Sequence, residues 1–257
     1  MTDLSIAIVT YNNERTIGAA LDSLLSHLPP DLTCRIILVD NGSADRTLEI
    51  AGGYAGQITI VKSERGNIGF GAAHNLLLSK LDSRCHLIMN PDIHLQSVSA
   101  LSNLVRYLDQ HEDVGMVVPQ VLSLNGERQF LCRQDPTVMD LMVRFFPGHL
   151  MAERQKRHTM QDHSYTRPFD VPFASGCFIM IRTALFQKLG GFDERFFLYL
   201  EDADLSRRVR REARVVYVPD AVVVHEWERS SYKNLRQTRV HIQSFYRYFR
   251  KWGWKWL

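Results

Sequence analysis

Cysteines are few in the sequence, and no long apolar run is present. The four cysteines, Cys34, Cys85, Cys132 and Cys177, lie far apart and form no C-x-x-C pair, which predicts reduced core residues. No stretch approaches the roughly 18 apolar residues that a membrane-spanning helix needs. No basic segment followed by an apolar stretch precedes the first predicted strand, so no signal peptide is predicted. These absences predict a cytoplasmic protein.

Acidic residues are absent from the end of the chain. Residues 229–257 contain eight Lys or Arg and no Asp or Glu, whereas the preceding part holds all 28 acidic residues and 23 of the 31 basic ones. With 45% hydrophobic and 23% charged residues, the 257-residue chain is typical of a soluble globular protein with one sizeable core or two small domains. A mildly acidic body with a strongly basic tail is therefore predicted.

The basic tail has the pattern of an amphipathic helix. Apolar and aromatic residues recur at helical spacing from Leu235 to Trp256, with arginines between them. One interpretation is a helix that lies on an anionic membrane surface. The alternative is a helix that packs on the rest of the protein, where it could also form a homodimer interface. Nucleic-acid binding would also explain basic residues among aromatics, but it leaves the acidic residues described below unexplained.

Strand patterns alternate with helix patterns through the first half of the chain. This alternation predicts an α/β fold with a Rossmann-like, mostly parallel central sheet flanked by helices. Strands are predicted at 4–9, 35–39, 58–61, 86–89 and 114–118, and helices at 17–25, 47–51, 72–81 and 98–108.

The second half is less regular. Residues 123–170 mix charge, proline, methionine and aromatics with weak periodicity, as expected of loops or short helices. The remaining patterns predict a strand at 172–181, a helix at 184–189, a helix from about residue 202, and extended segments at 215–218 and 221–225.

Polar residues follow the predicted strands of the first half. Ligands of such sheets bind outside the carboxyl ends of the strands, which draws attention to 10–13, 40–43 and 90–92. Asp40 is placed to accept a hydrogen bond from a nucleotide base or ribose, and the alternative is that it caps the turn. The glycine-rich segment 66–71 precedes a helix, so its backbone could approach a phosphate or a sugar, although it lacks the dinucleotide-binding spacing.

Asp92 and His225 are the candidate ligands of a divalent cation. Proline fixes the turn Asn90-Pro91-Asp92 directly after a buried strand, and a single carboxylate there suits a hard cation that keeps positions for substrate phosphates. His225 ends another apolar run and supplies a nitrogen ligand in this interpretation. An ordinary turn aspartate and a structural histidine are the alternatives.

Carboxylates cluster beside aromatic residues at 192–205. Burial raises the pKa of an acid, so Glu201, Asp202 and Asp204 require a cation, a hydrogen-bond network or a catalytic role there. The alternative is the acidic first turn of a helix.

In their order along the chain, these segments resemble the inverting glycosyltransferases of family 2, which have the GT-A fold. The resemblance covers almost the whole chain and is greatest to bacterial rhamnosyltransferases of O-antigen and other cell-surface polysaccharides. It departs from them after His225, where the small residues of those enzymes are replaced by the run 226–230, so the diphosphate contacts of that loop are in question. The matching segments are 9–12, 39–45, 67–75, 90–92, 190–194 and 201–205.

The resemblance implies a domain organisation and a reaction. Residues 1–228 would form the GT-A domain, with a nucleotide-sugar half at 1–118 and an acceptor half at 119–228, and residues 229–257 the C-terminal helix. The reaction would move L-rhamnose from dTDP-rhamnose, with Mg²⁺ or Mn²⁺, to a polyprenyl-diphosphate-linked or saccharide acceptor, at the cytoplasmic face of the inner membrane. The alternatives are a UDP-hexose donor and a non-catalytic GT-A-like domain that binds a nucleic acid or a partner.

The resemblance also implies roles for individual residues. Asp202 would be the general base, with Glu201 beside it as a catalytic or acceptor-binding group. Asp204 would bind the acceptor or pair with Arg207 or Arg208. The metal would lie between Asp92 and His225. The nucleotide-sugar site would comprise Thr10, Tyr11, Asn12, Asp40, Asn67, Gly69, Asn90 and Asp92.

Overall fold

The computed structural model describes residues 2–142, 151–226 and 235–257. Strands and helices alternate through the first half of the chain, as the periodicity predicts. The strands are β1 (Thr2–Thr10), β2 (Cys34–Asp40), β3 (Thr59–Lys62), β4 (Ser83–Met89), β5 (Ile93–Leu95), β6 (Val114–Leu122), β7 (Arg128–Gln129), β8 (Cys132–Arg133), β9 (Phe169–Asp170), β10 (Phe173–Ala174), β11 (Phe178–Arg182) and β12 (Arg214–His225).

The helices lie between these strands and at the end of the chain. They are α1 (Ile17–Ser26), α2 (Thr47–Gly52), α3 (Phe70–Asn75), α4 (Ser99–Gln110), α5 (Val138–Met142), α6 (Ala152–His158), α7 (Thr183–Lys188), α8 (Glu201–Val209) and α9 (Leu235–Trp252). A 3₁₀ turn at Leu78–Lys80 follows α3. None of the described helices is long and apolar enough to cross a membrane.

A single mixed sheet runs through most of the described chain, in the order β3-β2-β1-β4-β11-β6-β12-β5. Neighbouring strands from β3 to β4 are parallel. Their register pairs Thr10 with Asp40 and Ile8 with Met89, so the residues after β1, β2 and β4 lie at the same edge. The predicted α/β fold with its flanking helices is therefore confirmed, and the polar segments after these strands lie close together.

The second half of the chain completes the sheet with strands of both directions. β11 is antiparallel to β4 and β6, β12 is parallel to β6, and β5 is antiparallel to β12. The pairing of β5 with β12 places His225 opposite Ile93, directly beside Asp92. Residues separated by more than a hundred positions thus meet at one edge of the sheet.

Three element predictions differ from the structure in their extent. The apolar run at 172–181 forms two strands, because β10 pairs with β8 in a separate small sheet while β11 belongs to the large one. The helix predicted at 72–81 begins earlier, at Phe70, and ends at Asn75, followed by the 3₁₀ turn. The extended segments at 215–218 and 221–225 form one strand, β12, with an irregular register between them.

Helix α9 packs with its inner face on the protein. Tyr248 and Phe249 are fully buried there, in a core cluster that also contains Leu200 and Ala203. The backbone N–H groups of Val138 and Met139, at the start of α5, donate to the carbonyl groups of Lys255 and Trp256 at 2.8 and 3.3 Å. The described part of the basic tail is thus a helix anchored to the domain by one of its faces.

Candidate active site

The carboxyl ends of β1 and β2 form a polar rim. Thr10 and Asp40 end these strands and are buried, while Tyr11 is exposed to 44%. One carboxylate oxygen of Asp40 accepts hydrogen bonds of 3.2 Å from the backbone N–H groups of Gly42 and Ser43, as in the turn-capping alternative. A carboxylate has further lone pairs, so capping does not prevent Asp40 from also accepting a ligand hydrogen bond.

Asn12 holds the loop after β1 against the loop after β2. Its own φ is 57°, in the left-handed region that asparagine tolerates better than most residues. Its backbone N–H donates to the Ser43 hydroxyl at 3.0 Å, and its side-chain oxygen accepts from the Ala44 N–H at 2.8 Å. Asn12 therefore shapes this rim through local hydrogen bonds.

Asn41 fastens the glycine-rich segment to the end of β2. Its Oδ1 accepts from the Ile68 N–H at 3.0 Å, and its Nδ2 donates to Asn67 Oδ1 at 3.1 Å and to the Gly69 carbonyl at 3.3 Å. Asn67 Oδ1 also accepts from the Gly69 N–H at 3.0 Å. Asn41 was not singled out from the sequence, where its place beside Asp40 was the available signal.

Gly69 lies where the glycine-rich segment meets the carboxylate segment. Its φ is 96°, and a Cβ there would lie 2.4 Å from the Phe197 carbonyl oxygen, so this contact requires glycine. The next residue, Phe70, donates its N–H to the same carbonyl at 2.9 Å. The polar rim and the segment that leads to α8 are therefore in direct contact.

Asp92 and His225 are brought together as the sequence predicts. Asp92 Oδ2 lies 3.3 Å from His225 Nε2, and the Asp92 carbonyl accepts from the Glu226 N–H at 2.9 Å. Asp92 Oδ1 is buried and has no hydrogen-bond partner among the described residues. Residues 227–230 of the run after His225 lie outside the described part of the chain.

Gln129 orients the imidazole of His225. Its Nε2 donates to the His225 carbonyl at 2.9 Å, so its Oε1 faces His225 Nδ1, also at 2.9 Å, and accepts from it. With Nδ1 as the donor to Gln129, His225 Nε2 faces the Asp92 carboxylate, an arrangement that a cation bound to both atoms would satisfy. The donor set of one carboxylate and one imidazole fits a divalent ion that takes its other ligands from water and phosphate.

No larger ligand set is present in the part of the chain that the structure describes. No three His, Cys, Asp or Glu side chains lie close enough there to hold a metal ion by themselves. Asp92 and His225 would therefore bind such an ion together with its substrate.

Asp202 lies in the first turn of helix α8, and its carboxylate contacts the segment between β10 and β11. Its Oδ2 accepts from the Gly176 N–H at 2.9 Å and its Oδ1 from the Ala203 N–H, also at 2.9 Å. Burial raises the pKa of Asp202, while the Gly176 hydrogen bond and the charge of Arg133 act in the opposite direction. A carboxylate with a raised pKa is a better proton acceptor than an exposed aspartate.

Glu201 is more deeply enclosed than Asp202. It is 5% exposed, and its Oε2 has no hydrogen-bond partner among the described residues. Burial, followed by the adjacent charge of Asp202, raises the pKa of Glu201 well above its usual range. Two adjacent buried acids cannot both ionise easily, and the deeper burial of Glu201 makes it the harder of the two to ionise.

Asp204 does not face the open site, which corrects the expectation that it binds the acceptor. It is fully buried, with Arg208 Nε 2.8 Å from Oδ2 and with Lys251 Nζ at 2.5 Å and Trp252 Nε1 at 2.8 Å from Oδ1. The predicted pairing is with Arg208, whereas Arg207 lies over the Trp252 ring. Asp204 therefore joins α8 to α9.

Arg133, Gly176 and Cys177 belong to the site but were not predicted. The Cys177 carbonyl accepts from the Asn90 N–H at 2.8 Å, which connects the metal-side turn to the Gly176 contact of Asp202. Arg133 Nε is buried with no hydrogen-bond partner within the described residues. Burial raises the pKa of the Cys177 thiol to about 12, which disfavours a thiolate nucleophile at this position.

Comparison with known proteins identifies relatives that match most of the chain. A model of the family described as "Glycosyl transferase family 2" matches residues 5–190. The chain is 26% identical over 243 residues to an N-acetylglucosaminyl-diphospho-decaprenol L-rhamnosyltransferase of Mycobacterium tuberculosis, covering 88% of this chain and 76% of that protein. It is 25% identical over 256 residues to rhamnosyltransferase WbbL of Escherichia coli K12, covering 95% and 91%.

Solved structures share the fold at lower identity. The mannosyltransferase PcManGT from Pyrobaculum calidifontis, in complex with GDP-Man and Mn²⁺, superposes with a TM-score of 0.64 and 20% identity, covering 97% of this chain and 66% of that chain. TarS 1–349 of S. aureus, in complex with UDP-GlcNAc, gives a TM-score of 0.63 and 19% identity, covering 94% and 66%. These likenesses show the GT-A fold.

Proposed function

The chain belongs to glycosyl transferase family 2, and from this premise we propose that it transfers L-rhamnose from dTDP-rhamnose, with inversion, to a polyprenyl-diphosphate-linked or saccharide acceptor in bacterial surface-polysaccharide synthesis. The observation that carries the proposal is that the segment Gly176-Cys177 contacts both Asp202 and the turn that contains Asp92. Cys177 accepts a hydrogen bond from Asn90, and the adjacent Gly176 donates one to Asp202. The proposed donor-sugar side and the proposed base would therefore be held at a fixed separation. The names of the relatives support rhamnose as the sugar and a lipid-linked acceptor.

The nucleotide would bind across the polar rim at the ends of β1 and β2. Asp40 would accept a hydrogen bond from the base, Thr10 and Tyr11 would form the wall of its pocket, and the loops shaped by Asn12, Asn67 and Gly69 would follow the ribose and diphosphate. Asn90 and Asp92 would face the diphosphate. The exposed ring of Tyr11 offers a stacking surface at this edge.

Asp92 and His225 would hold Mg²⁺ or Mn²⁺ beside the diphosphate. Such an ion neutralises charge on the departing nucleoside diphosphate. Gln129 would keep the imidazole in the tautomer that leaves Nε2 free to bind it. The Mn²⁺ named with PcManGT supports the choice of a divalent ion.

Asp202 would act as the general base. The acceptor hydroxyl oxygen attacks the anomeric carbon, its proton passes to the Asp202 carboxylate, and the bond from the anomeric carbon to the nucleoside diphosphate breaks. This single displacement inverts the anomeric configuration. Burial raises the pKa of Glu201, so Glu201 would limit the negative charge beside the base and leave Asp202 as the group that accepts the proton.

The outer face of α9, together with the residues that follow the helix, would hold the enzyme at the inner membrane, where a lipid-linked acceptor resides. We call this surface the outer patch. Its residues are exposed, with Trp256 at 63% and Ile242 at 60%, and its basic members suit anionic lipid headgroups. The outer patch comprises Ile242, Tyr246, Trp254, Trp256, Arg239, Arg250 and Lys255.

Vesicle flotation tests the outer patch. We expect the protein to float with phosphatidylglycerol vesicles and the Ile242→Ser/Trp256→Ser variant to remain at the bottom. Leu124→Ser is the matched control, since Leu124 is 68% exposed elsewhere on the surface. Equal flotation of both variants would contradict the membrane proposal. Concentration-dependent dimerisation of the wild type that the double variant loses would assign the patch to a second copy instead.

The proposed reaction is tested with defined substrates. The protein is incubated with Mn²⁺, a synthetic polyprenyl-diphosphate-linked sugar and either dTDP-rhamnose or UDP-GlcNAc, and products are measured by mass spectrometry. We expect a product larger by one deoxyhexose, from dTDP-rhamnose, which EDTA abolishes. A product from UDP-GlcNAc alone would support the hexose alternative. Nucleotide binding without any transfer would support a non-catalytic domain.

A further inference from the structure

The backbone immediately before α8 is held in an unusual conformation. Tyr199 and Leu200 have φ angles of 72° and 66°, in the left-handed region that side chains of this size rarely adopt. The first residues of α8 are Glu201 and Asp202, so this turn sets the direction in which the Asp202 carboxylate points. Such a conformation persists only where its surroundings enforce it.

Helix α9 supplies contacts that enforce this turn. The Ser244 hydroxyl donates to the Leu198 carbonyl at 2.7 Å. The His241 ring stacks on Tyr199 with 4.4 Å between ring centroids and an angle of 15° between planes. Leu200 is buried in the cluster that contains Tyr248 and Phe249. The residues before Asp202 are therefore covered and held by the inner face of α9.

The end of α9 holds α8 through buried charge. Lys251 Nζ lies 2.5 Å from Asp204 and 2.7 Å from Asp193, so one ammonium group bridges α8 and the loop before it. The indole N–H of Trp252 donates to Asp204 at 2.8 Å, and its ring lies under the guanidinium groups of Arg207 and Arg211. A carboxylate buried as completely as Asp204 is stable only with such partners.

We propose that Lys251 and Trp252 are positioning residues for the transfer reaction, which hold the Asp202 carboxylate toward the acceptor through Asp204 and α8. The inference rests on the proposed role of Asp202 as base. It assigns a second task to the basic tail, because the face of α9 opposite the outer patch holds α8 in position. Neither residue touches the open site, so their effect passes through the position of α8.

Steady-state kinetics with the soluble head group of the acceptor separate this role from membrane binding. We expect Lys251→Gln and Trp252→Phe to lower kcat by between about tenfold and about a hundredfold, while KM for the nucleotide sugar stays within about twofold. Trp252→Phe keeps the aromatic packing and removes the N–H donor. Lys251→Arg keeps the charge and should recover most of the activity.

The matched control is Lys188→Gln. Lys188 forms an ion pair of 2.6 Å with Glu212, and both side chains are exposed. The same substitution there should leave kcat and KM unchanged. An unchanged kcat in both Lys251→Gln and Trp252→Phe, with only a lower melting temperature, would overturn the proposal, since α9 would then contribute packing alone.

Hydrogen exchange supplies a readout that does not depend on the reaction. We expect faster backbone exchange at residues 198–205 in Lys251→Gln than in the wild type or in Lys188→Gln. If the wild type transfers no sugar, the proposed function fails, yet faster exchange in Lys251→Gln still supports the coupling of α9 to α8. Identical exchange in all the proteins would contradict that coupling, whatever the activity.

Discussion

Asp202 accepts a hydrogen bond of 2.9 Å from the backbone N–H of Gly176. The next residue along the chain, Cys177, accepts a hydrogen bond of 2.8 Å from the Asn90 N–H through its carbonyl group. Two adjacent residues between β10 and β11 thus hold the proposed base and the turn that carries Asp92. The spacing between the proposed base and the proposed metal-side turn is therefore held by hydrogen bonds to two adjacent backbone groups.

Gly176→Ala should reduce catalysis more than stability. A Cβ at this position would lie 3.3 Å from the Asp202 Cβ and 3.6 Å from its Oδ2, which is close enough to displace the carboxylate. We expect a fall in kcat of about tenfold with a small change in melting temperature. Gly52→Ala is the control, because a Cβ there meets no atom within 4 Å. Equal kcat values for the two variants would contradict the positioning role of Gly176.

Asp92→Asn and His225→Gln should weaken metal-dependent transfer. Each removes one of the two proposed metal ligands, whose Oδ2 and Nε2 atoms lie 3.3 Å apart, so we expect the Mn²⁺ concentration for half-maximal activity to rise by about tenfold or more. Mn²⁺ titration of initial rates measures this. Asp162→Asn, at an exposed position, is the control. Unchanged Mn²⁺ dependence in both site variants would move the metal away from this pair.

Glu201→Gln should stabilise the protein at neutral pH. Because burial raises the pKa of Glu201, the folded state retains a proton that the unfolded chain releases, so the free energy of unfolding falls as pH rises above about 4.5. Glutamine removes this dependence, and the advantage of the variant should grow from pH 4.5 upward. Denaturant titrations across that range, with the exposed Glu64→Gln as control, measure it. A variant that is less stable than the wild type at pH 7 would contradict a protonated Glu201.

His74→Leu should flatten the loss of stability in acid. His74 is fully buried between Phe70 and Phe192, and burial lowers its pKa well below 6.5. Below pH 6.5 the unfolded chain binds a proton at His74 that the folded protein does not. The free energy of unfolding therefore falls by about 1.4 kcal/mol for each further pH unit. His74→Leu should lack this pH dependence, whereas the control His163→Leu, at a more exposed site, should keep it because His74 is still present. Parallel stability curves for His74→Leu and the wild type below pH 6.5 would contradict this assignment.

Periodicity and position after strands account for much of what could be predicted from the sequence. Asp40, Asp92 and His225 follow apolar runs, and parallel strands deliver such residues to one edge of the sheet, so their proximity was predictable. The roles of Gly176 and Gln129 could not be predicted from the sequence. Gly176 lies in the break between β10 and β11, and Gln129 lies in the short strand β7 that pairs with β6, and neither feature leaves a periodic signal. The sequence places Asp204 within the cluster of acids assigned to the active site. Its contacts with Lys251 and Trp252, almost fifty residues later in the chain, become apparent only in the structure.

The central claim is that Asp202 accepts the proton of the acceptor hydroxyl, and Asp202→Asn tests it most directly. The measurement pairs the rate of sugar transfer with the dissociation constant of the nucleotide sugar in the presence of Mn²⁺. Asparagine keeps the shape and the hydrogen-bond acceptor toward Gly176 while removing the basic oxygen. The account predicts that transfer falls by at least about a thousandfold while the dissociation constant stays within about twofold of the wild type. Transfer at the wild-type rate in Asp202→Asn would contradict the account.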